Sequence, residues 1–151
     1  MAVATAVGLV RAHLAAESRQ DLDAAMAVFG PACRYAIPAQ GVRLDGWSAV
    51  RDHHAAMLAA FPDLVNAGVE LHDAGDRVFA RMRVERHHRG PWRGIPPTGR
   101  RVVTEALAEF PLGDDGLLAG EVVYMDPLDA LHQIGALPTR DPFELAELLA
   151  R

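Results

Sequence analysis

The sequence predicts an α+β domain in which helices come first and a curved antiparallel sheet then wraps around one long helix. Apolar residues recur at helical spacing as far as residue 61, and from residue 64 onward they alternate with polar residues at the two-residue period of strands. Hydrophobic residues make up 50% of the 151 residues, which is enough for one core. We therefore expect a single domain over residues 1–151.

Three helices are predicted in the first part of the chain. The first carries apolar residues at steps of four, three and four, at Val3, Val7, Val10 and Leu14. Asp21 can cap a second helix that ends at Gly30, and its buried stripe comprises Leu22, Ala25, Met26 and Phe29. A third helix ends at Pro62, and its buried stripe comprises Trp47, Val50, His54, Met57, Leu58 and Phe61.

Strand-like alternation marks five further segments, at 33–38, 65–72, 77–88, 101–112 and 117–126. Turn-forming residues at 73–76 and 113–116 join neighbouring segments, so we expect an antiparallel meander. The loop 90–99 contains three prolines and three glycines, and we expect it to cover the entrance of a pocket as a stiff flap. A short amphipathic helix is predicted over 142–150.

The composition argues against several classes of function. The net charge is −5, from 20 acidic and 15 basic residues without a basic tail, which argues against nucleic acid or an anionic membrane as a partner. The apolar start is too short to span a membrane and lacks the basic residues of a signal peptide, so we expect a cytoplasmic protein. Cys33 is the only cysteine, which excludes an internal disulfide and a cysteine zinc site.

Two strand faces that are otherwise apolar end in polar residues. The row from Val78 to Val84 continues to Arg86 and His88, which either emerge into solvent or line the mouth of a pocket. In the last strand, Tyr124 and Asp126 close the row that begins Leu118, Gly120 and Val122. A carboxylate in that position loses hydration, which suits proton transfer near neutral pH. The alternative is that Asp126, followed by Pro127, caps a helical turn.

Other candidates have two interpretations each. Tyr35 and Trp47 could form aromatic walls for a flat ligand or could belong to the core, and His54 could donate into the pocket or be a satisfied core histidine. His53 and His54 point about 100° apart on a helix, and His87 and His88 face opposite ways on a strand. We therefore expect no metal site from either histidine pair. We also find no phosphate-binding loop and no nucleophile motif.

A run of motifs resembles the SnoaL-like polyketide cyclase family over nearly the whole chain. In order they are Phe61-Pro62-Asp63, His88-x-Gly90, Gly94-Ile95-Pro96-Pro97-Thr98-Gly99-Arg100, Asp126, and Leu131-x-Gln133-Ile134-Gly135. The resemblance implies a cone-shaped α+β barrel of the type shared with ketosteroid isomerase and nuclear transport factor 2, usually a homodimer. It also implies an intramolecular aldol condensation without metal or cofactor, on a small hydrophobic, polyketide-like ligand.

The resemblance assigns residue roles as well. Asp126 occupies the position of the family's acid/base aspartate, and His88 matches the histidine of its Gly-Thr-His-x-Gly stretch, although Arg86 and His87 replace the first two residues. Where some cyclases have a catalytic histidine on the penultimate strand, this chain has Glu105 and Glu109. We expect catalysis by Asp126 and His88, with substrate contacts from Tyr35, Trp47, His54, Arg86 and Tyr124.

Three functions remain in competition. The first is a cofactor-independent acid/base enzyme acting on a small hydrophobic carbonyl compound, most closely an aldol cyclase. The second is a non-catalytic dimeric binding module, since this fold changes function by changing its pocket lining. The third is an epoxide hydrolase or isomerase, which would need Glu109 inward beside Asp126 and Arg86. A dimer is expected through apolar residues on the outer face of the sheet, namely Phe79, Val103, Leu107, Val123 and Met125.

Overall fold

The computed structural model describes residues 4–151, so Val3 of the first predicted helix lies outside the described part. Helix α1 is Ala6–Ser18, and the Thr5 hydroxyl accepts a hydrogen bond from the backbone of Gly8 at its start. Helix α2 is short, Leu22–Met26, with Asp21 as its cap. Helix α3 is Trp47–Ala60 and ends just before Pro62, as its sequence predicts.

Six strands form one curved, unclosed sheet, which confirms the α+β class. The strands are β1 (Phe29–Ile37), β2 (Val42–Asp45), β3 (Val65–Asp73), β4 (Arg77–His87), β5 (Arg101–Pro111) and β6 (Leu118–Met125). Their order in the sheet is β2-β1-β6-β5-β4-β3. The sheet is not wholly antiparallel as predicted, because β1 pairs in parallel with β6 and thereby brings Tyr35 beside Glu121. Strand β2 was not predicted, and Phe29 opens β1 instead of closing α2.

The face of β6 that points into the interior changes along the strand. Leu118 is fully buried, yet from Glu121 onward the odd-numbered residues face the interior, and Tyr124 is 47% exposed. The pairing with β1 is irregular at this end, and Gly120 packs so closely on Arg34 that a Cβ would lie 2.4 Å from its carbonyl oxygen. A shift of one residue exchanges the two faces of a strand. The predicted inward row ending at Tyr124 and Asp126 is therefore wrong.

The core lies between the concave side of the sheet and helices α1 and α3. Helix α1 packs on α2, β3 and β4, and α3 packs on β1 and β2. Two C-terminal helices follow the sheet, α4 (Pro127–Gln133), which packs on β5, and α5 (Pro142–Leu149), which is largely exposed. Among residues 4–151, no helix has the length and apolar character needed to cross a membrane.

Candidate active site

A cavity of about 340 Å³ lies between the sheet, α3 and the loop that follows β4. Its walls are mostly apolar and come from β1, β2, α3, β4 and β6, with Ile37, Val42, Leu44, Met57, Met82, Val84, Val123 and Met125 among them. At the rim, Arg93 of the loop donates a hydrogen bond to Gln40 at 3.2 Å, and both residues line the cavity. An apolar cavity with a few polar groups is the usual form of a small-molecule site.

One end of this cavity is built from two carboxylates backed by two buried histidines. Glu17 of α1 and Glu121 of β6 line the cavity, while His13 and His54 lie behind them. Nε2 of His13 is 3.5 Å from Oε2 of Glu121 and 3.7 Å from Oε2 of Glu17. Nε2 of His54 is 3.4 Å from the same Glu121 oxygen and 3.6 Å from Oε1 of Glu17. We call these four residues the polar cluster.

Hydrogen bonds to the main chain orient both histidines of the polar cluster. Nδ1 of His13 donates to the carbonyl of Ala25, and Nδ1 of His54 donates to the carbonyl of Val50, each at 2.9 Å. In both rings, Nε2 is therefore the nitrogen that faces the carboxylates. Asn66 adds a further restraint, because its side-chain amide donates to Oε2 of Glu17 at 2.9 Å.

The pKa values of His13, His54 and Glu121 are shifted. Burial by itself lowers the pKa of His13, but the charges of Glu17 and Glu121 outweigh burial and raise this pKa to about 9. The pKa of His54 is likewise raised, against the effect of burial, by Glu121 and Glu17. Burial alone would raise the pKa of Glu121, but the two histidines hold it below its usual range. These shifts favour the protonated form of both histidines and the ionised form of Glu121, and His13 carries a positive charge at neutral pH.

The same atoms have the spacing of a metal site. One nitrogen from each of His13 and His54 and one oxygen of Glu121 lie within 4.8 Å of one another, a set that could hold a divalent cation. The expectation that no metal site would form rested on adjacent histidines, and it missed this set because the three residues come from different elements. A ligand nitrogen must be free of its proton, so a cation and a proton compete for Nε2 of each histidine.

Two neutral polar side chains lie beside the polar cluster. The ring centroid of Tyr35 is 4.4 Å from that of His53, and both residues line the cavity. Burial, reinforced by the charges of Glu121 and Glu17, raises the pKa of Tyr35 well above its usual value, so its hydroxyl remains a donor. Burial and the neighbouring His54 lower the pKa of His53 to about 4, so this imidazole is neutral at pH 7.

Arg86 lines the cavity at a different position and is 2% exposed. Its Nη1 donates to the hydroxyl of Thr104 at 2.9 Å and to the carbonyl of Val84 at 3.4 Å. The guanidinium carbon lies 4.9 Å from the centre of the Phe61 ring. Burial lowers the pKa of Arg86 to about 10, which leaves the group charged at neutral pH. The structure thus supports the expected pocket position of Arg86, as it does that of Tyr35.

The structure places Asp126 and Tyr124 outside the cavity, which corrects their predicted position. Asp126 is exposed, and its carboxylate caps α4 by accepting a hydrogen bond from the backbone of Leu128 at 2.9 Å. This is the capping alternative considered from the sequence. Both side chains project from the outward face of the chain after the shift in β6, so a ligand held within the cavity does not touch them.

Three more predicted site residues are structural in position. His88 is fully buried between Phe61 and Trp92, and its Nδ1 lies 3.1 Å from the Thr98 hydroxyl, but it does not line the cavity. Trp47 donates from Nε1 to the carbonyl of Met26 at 3.2 Å and packs against the core. His54 does not line the cavity either, and it acts on the cavity through the two carboxylates in front of it and through His53.

Several expectations about the outer face and the loop also need correction. Glu109 faces outward and forms an ion pair with Arg77, and Glu105 is exposed. In the loop, residues 91–93 line the cavity, whereas the proline pair 96–97 is exposed and does not. Only the first half of the predicted flap therefore covers the site. Val123 and Met125 were predicted on the outer face but line the cavity, because of the shift in β6.

Sequence reasoning missed His13, Glu17 and Glu121. A signal was present, because each polar residue interrupts an apolar pattern: His13 adjoins the buried Leu14, and Glu121 precedes Val122 and Val123. His13 and Glu17 are also four residues apart on one helix, the spacing at which side chains meet. Their partners on α3 and β6 could not be identified without the fold.

Comparisons with known proteins find solved structures with the same fold. A structure from Pseudomonas putida, proposed to be a polyketide cyclase, has a TM-score of 0.78 at 26% identity and covers 85% of this chain and 97% of its own. AclR from Streptomyces galilaeus, proposed to be a hydroxylase, has a TM-score of 0.76 at 25% identity and covers 91% of this chain and 100% of its own.

A Catenulispora acidiphila protein described as having a ketosteroid isomerase-like fold has a TM-score of 0.73 at 18% identity, and it covers 87% of this chain and 95% of its own. This third likeness concerns the fold alone. No curated protein sequence matches the chain. The family model described as SnoaL-like polyketide cyclase matches residues 7–134. Since this match spans most of the chain, the protein belongs to the SnoaL-like polyketide cyclase family.

Proposed function

We propose that this protein is a cofactor-independent general acid/base enzyme that acts on a small hydrophobic carbonyl compound, most closely as an aldol cyclase or a related isomerase. The observation that carries the proposal is the polar cluster, which places two carboxylates at one end of an apolar cavity. A binding protein for an apolar ligand has no need of a buried cluster of carboxylates and histidines, because burying charged groups is costly.

Glu17 is the proposed proton acceptor. Of the two carboxylates it is the more open, with 16% of its side chain exposed against 6% for Glu121. Asn66 and the two histidines hold it in one orientation. Glu121, which faces both histidines, is a positioning residue that keeps them protonated. Asp126, the acid/base residue that the family resemblance implied, is not proposed for this role because its carboxylate caps α4.

The proposed reaction begins when Glu17 removes a proton from the carbon next to a carbonyl group, and the electron pair moves to the carbonyl oxygen. Tyr35 then donates a hydrogen bond to this enolate oxygen, a role that its raised pKa allows at neutral pH. The enolate carbon attacks a second carbonyl of the same molecule, and Glu17 returns the proton to the resulting alkoxide. An isomerase would return the proton to another carbon of the same substrate.

The test is exchange of the α-protons of 2-tetralone for deuterium in D₂O, followed by NMR. We expect Glu17→Gln to slow the protein-dependent exchange by about 10²–10⁴, the usual contribution of a general base. Glu109→Gln is the matched control, since its carboxylate lies on the outer face, and it should exchange like the wild type. Equal rates for Glu17→Gln and wild type would contradict the assignment of Glu17.

A non-catalytic binding module is the second candidate, favoured by the position of Asp126 away from the cavity. It would be supported if the wild type bound hydrophobic ketones without accelerating exchange in any of them. The epoxide hydrolase hypothesis loses its two predicted carboxylates, because Glu109 pairs with Arg77 on the outer face and Asp126 caps α4.

We also propose a homodimer formed through the outer face of the sheet, and a cytoplasmic location. Leu107 and Tyr124 are direct neighbours on β5 and β6, and both are exposed there with Phe79 and Val103 on the same face. Large apolar side chains grouped in this way are often covered by a second subunit. The cytoplasmic location is suggested by Cys33, a free cysteine that is buried.

A further inference from the structure

The cavity has a second charged position, distant from the polar cluster. Arg86 pairs with Val102 near the start of β5, whereas the segment of β6 next to Glu121 pairs with Glu109 near the end of β5. Nη1 of Arg86 bonds Thr104, so the guanidinium lies at the level of that residue, five positions from Glu109 on β5, which is roughly 16 Å along a strand. A ligand that fills the cavity therefore meets carboxylates at one end and a guanidinium at the other.

The guanidinium of Arg86 has no ionic partner among residues 4–151. No carboxylate oxygen of the described residues lies within 4.0 Å of it. Asp129 is the carboxylate that acts on it through space, and this group already accepts hydrogen bonds from Arg140 and Gln133 at 3.0 Å each. A buried charge without a counter-charge is unfavourable, and proteins keep such groups where a ligand supplies the opposite charge.

The one donor of Arg86 left for a ligand indicates the charge of the missing partner. Nη1 is occupied by Thr104 and Val84, and the Phe61 ring holds the plane of the group. Among residues 4–151, Nε is buried without a hydrogen-bond partner, and Nη2 makes no hydrogen bond either. Nη2 is therefore the charged donor that can meet an anionic oxygen in the cavity, such as that of a carboxylate.

We propose that Arg86 forms a carboxylate subsite, so that the substrate is a hydrophobic carboxylic acid whose reacting carbonyl lies at the opposite end, near Glu17. This inference rests on the proposed function in taking the cavity as the substrate site. It adds the class of substrate, since a neutral ketone or alcohol would leave the guanidinium unpaired. It also assigns Thr104 as the residue that orients Arg86.

The test compares binding of 3-cyclohexylpropanoate with that of 3-cyclohexylpropanamide, which has nearly the same shape but no charge. Trp92 lines the cavity, so its fluorescence can report binding of these non-aromatic probes. We expect the wild type to bind the acid at least roughly tenfold more tightly, as a charge-assisted pair is stronger than a neutral one. Arg86→Gln should abolish that preference, and Thr104→Val should reduce it.

Arg83→Gln is the matched control, because it removes the same charge from the same strand at an exposed side chain paired with Glu85. It should keep the preference for the acid. Equal affinities for the two probes in the wild type, or no binding of the acid, would overturn the proposal, as would a preference that survives in Arg86→Gln. If Arg86→Gln does not fold, Arg86→Met serves instead: it removes the charge and keeps a long unbranched side chain, and a preference that survives there would also overturn the proposal.

Failure of this subsite and failure of the proposed function give different results. The binding comparison involves no turnover, and Glu17→Gln should keep the preference for the acid even though it loses proton exchange. A wild type that exchanges protons of 2-tetralone but binds acid and amide equally would leave the proposed function in place and remove only the carboxylate subsite.

Discussion

Glu121→Gln tests the polar cluster most directly, because it keeps the size of the side chain and removes one of the two negative charges. Oε2 of Glu121 lies 3.5 Å from Nε2 of His13 and 3.4 Å from Nε2 of His54. Removing one partner of a buried ion pair costs about 3–5 kcal/mol, since the remaining charge stays in the interior without its counter-charge. Because Glu17 still faces both histidines, we expect the lower value, about 3 kcal/mol.

The direction of the pKa shifts determines how the stability of the protein depends on pH. The pKa of His13 rises from 6.5 to about 9 on folding, a shift that corresponds to about 3 kcal/mol of stability. Because the folded state has the higher pKa, this stability is fully present below pH 6.5 and is lost as the pH rises through about 9. The raised pKa of His54 acts in the same direction. The lowered pKa of Glu121 affects stability only at acid pH, where the stability that Glu121 contributes is lost as its carboxylate is protonated.

The measurement is urea unfolding followed by circular dichroism at about pH 6 and about pH 9.5, one on each side of the raised histidine pKa. The wild type should be more stable at the lower pH, and Glu121→Gln should lose most of this difference. Asp45→Asn is the control, since the Arg34–Asp45 pair has both side chains 81% exposed and should contribute less than about 1 kcal/mol. A wild type equally stable at both pH values, or a Glu121→Gln variant as stable as the wild type near pH 6, would refute the reasoning.

Two further predictions concern Asp126 and the outer face of the sheet. Asp126→Ala removes the hydrogen bond to the backbone of Leu128 and should lower the free energy of unfolding in urea by about 1 kcal/mol. Asp126→Asn can still cap the helix and should match the wild type in stability and in proton exchange. Loss of exchange in a folded Asp126→Asn protein would instead make Asp126 the base. Leu107→Glu places a charge beside Tyr124 in the proposed interface, so light scattering should show a dimer for the wild type and a monomer for the variant. A wild type that is already monomeric at micromolar concentration would contradict the dimer.

The motifs that revealed the family serve the scaffold, and this explains why they predicted the fold better than the site. The Asp63 carboxylate accepts a hydrogen bond from the backbone of His87 at 2.8 Å and holds the end of β4. The Gln133 side chain bonds both backbone groups of Val103, at 2.7 and 2.8 Å, and fastens α4 to β5. Gly90 lies so close to Ala59 that a Cβ would be 2.2 Å from its carbonyl oxygen. Such contacts are required whatever the cavity binds.

Local pattern was sufficient for the class of the fold and for the longer elements, because helical and strand periods are properties of neighbouring residues. Asp21 caps α2 and Pro62 follows the end of α3, as the sequence alone predicts. The sequence left Tyr35 open between a pocket wall and the core, and in the structure the residue is buried in the core and also lines the cavity.

The active-site residues depended on the tertiary structure for two physical reasons. The irregular pairing of β1 with β6 sets which face of β6 is inward, and period-two alternation continues unchanged in a sequence whether or not such a shift occurs. This shift turned Glu121 inward and Asp126 outward. The polar cluster joins α1, α3 and β6 from opposite ends of the chain, and its members shift one another's pKa only once folding has removed the water between them.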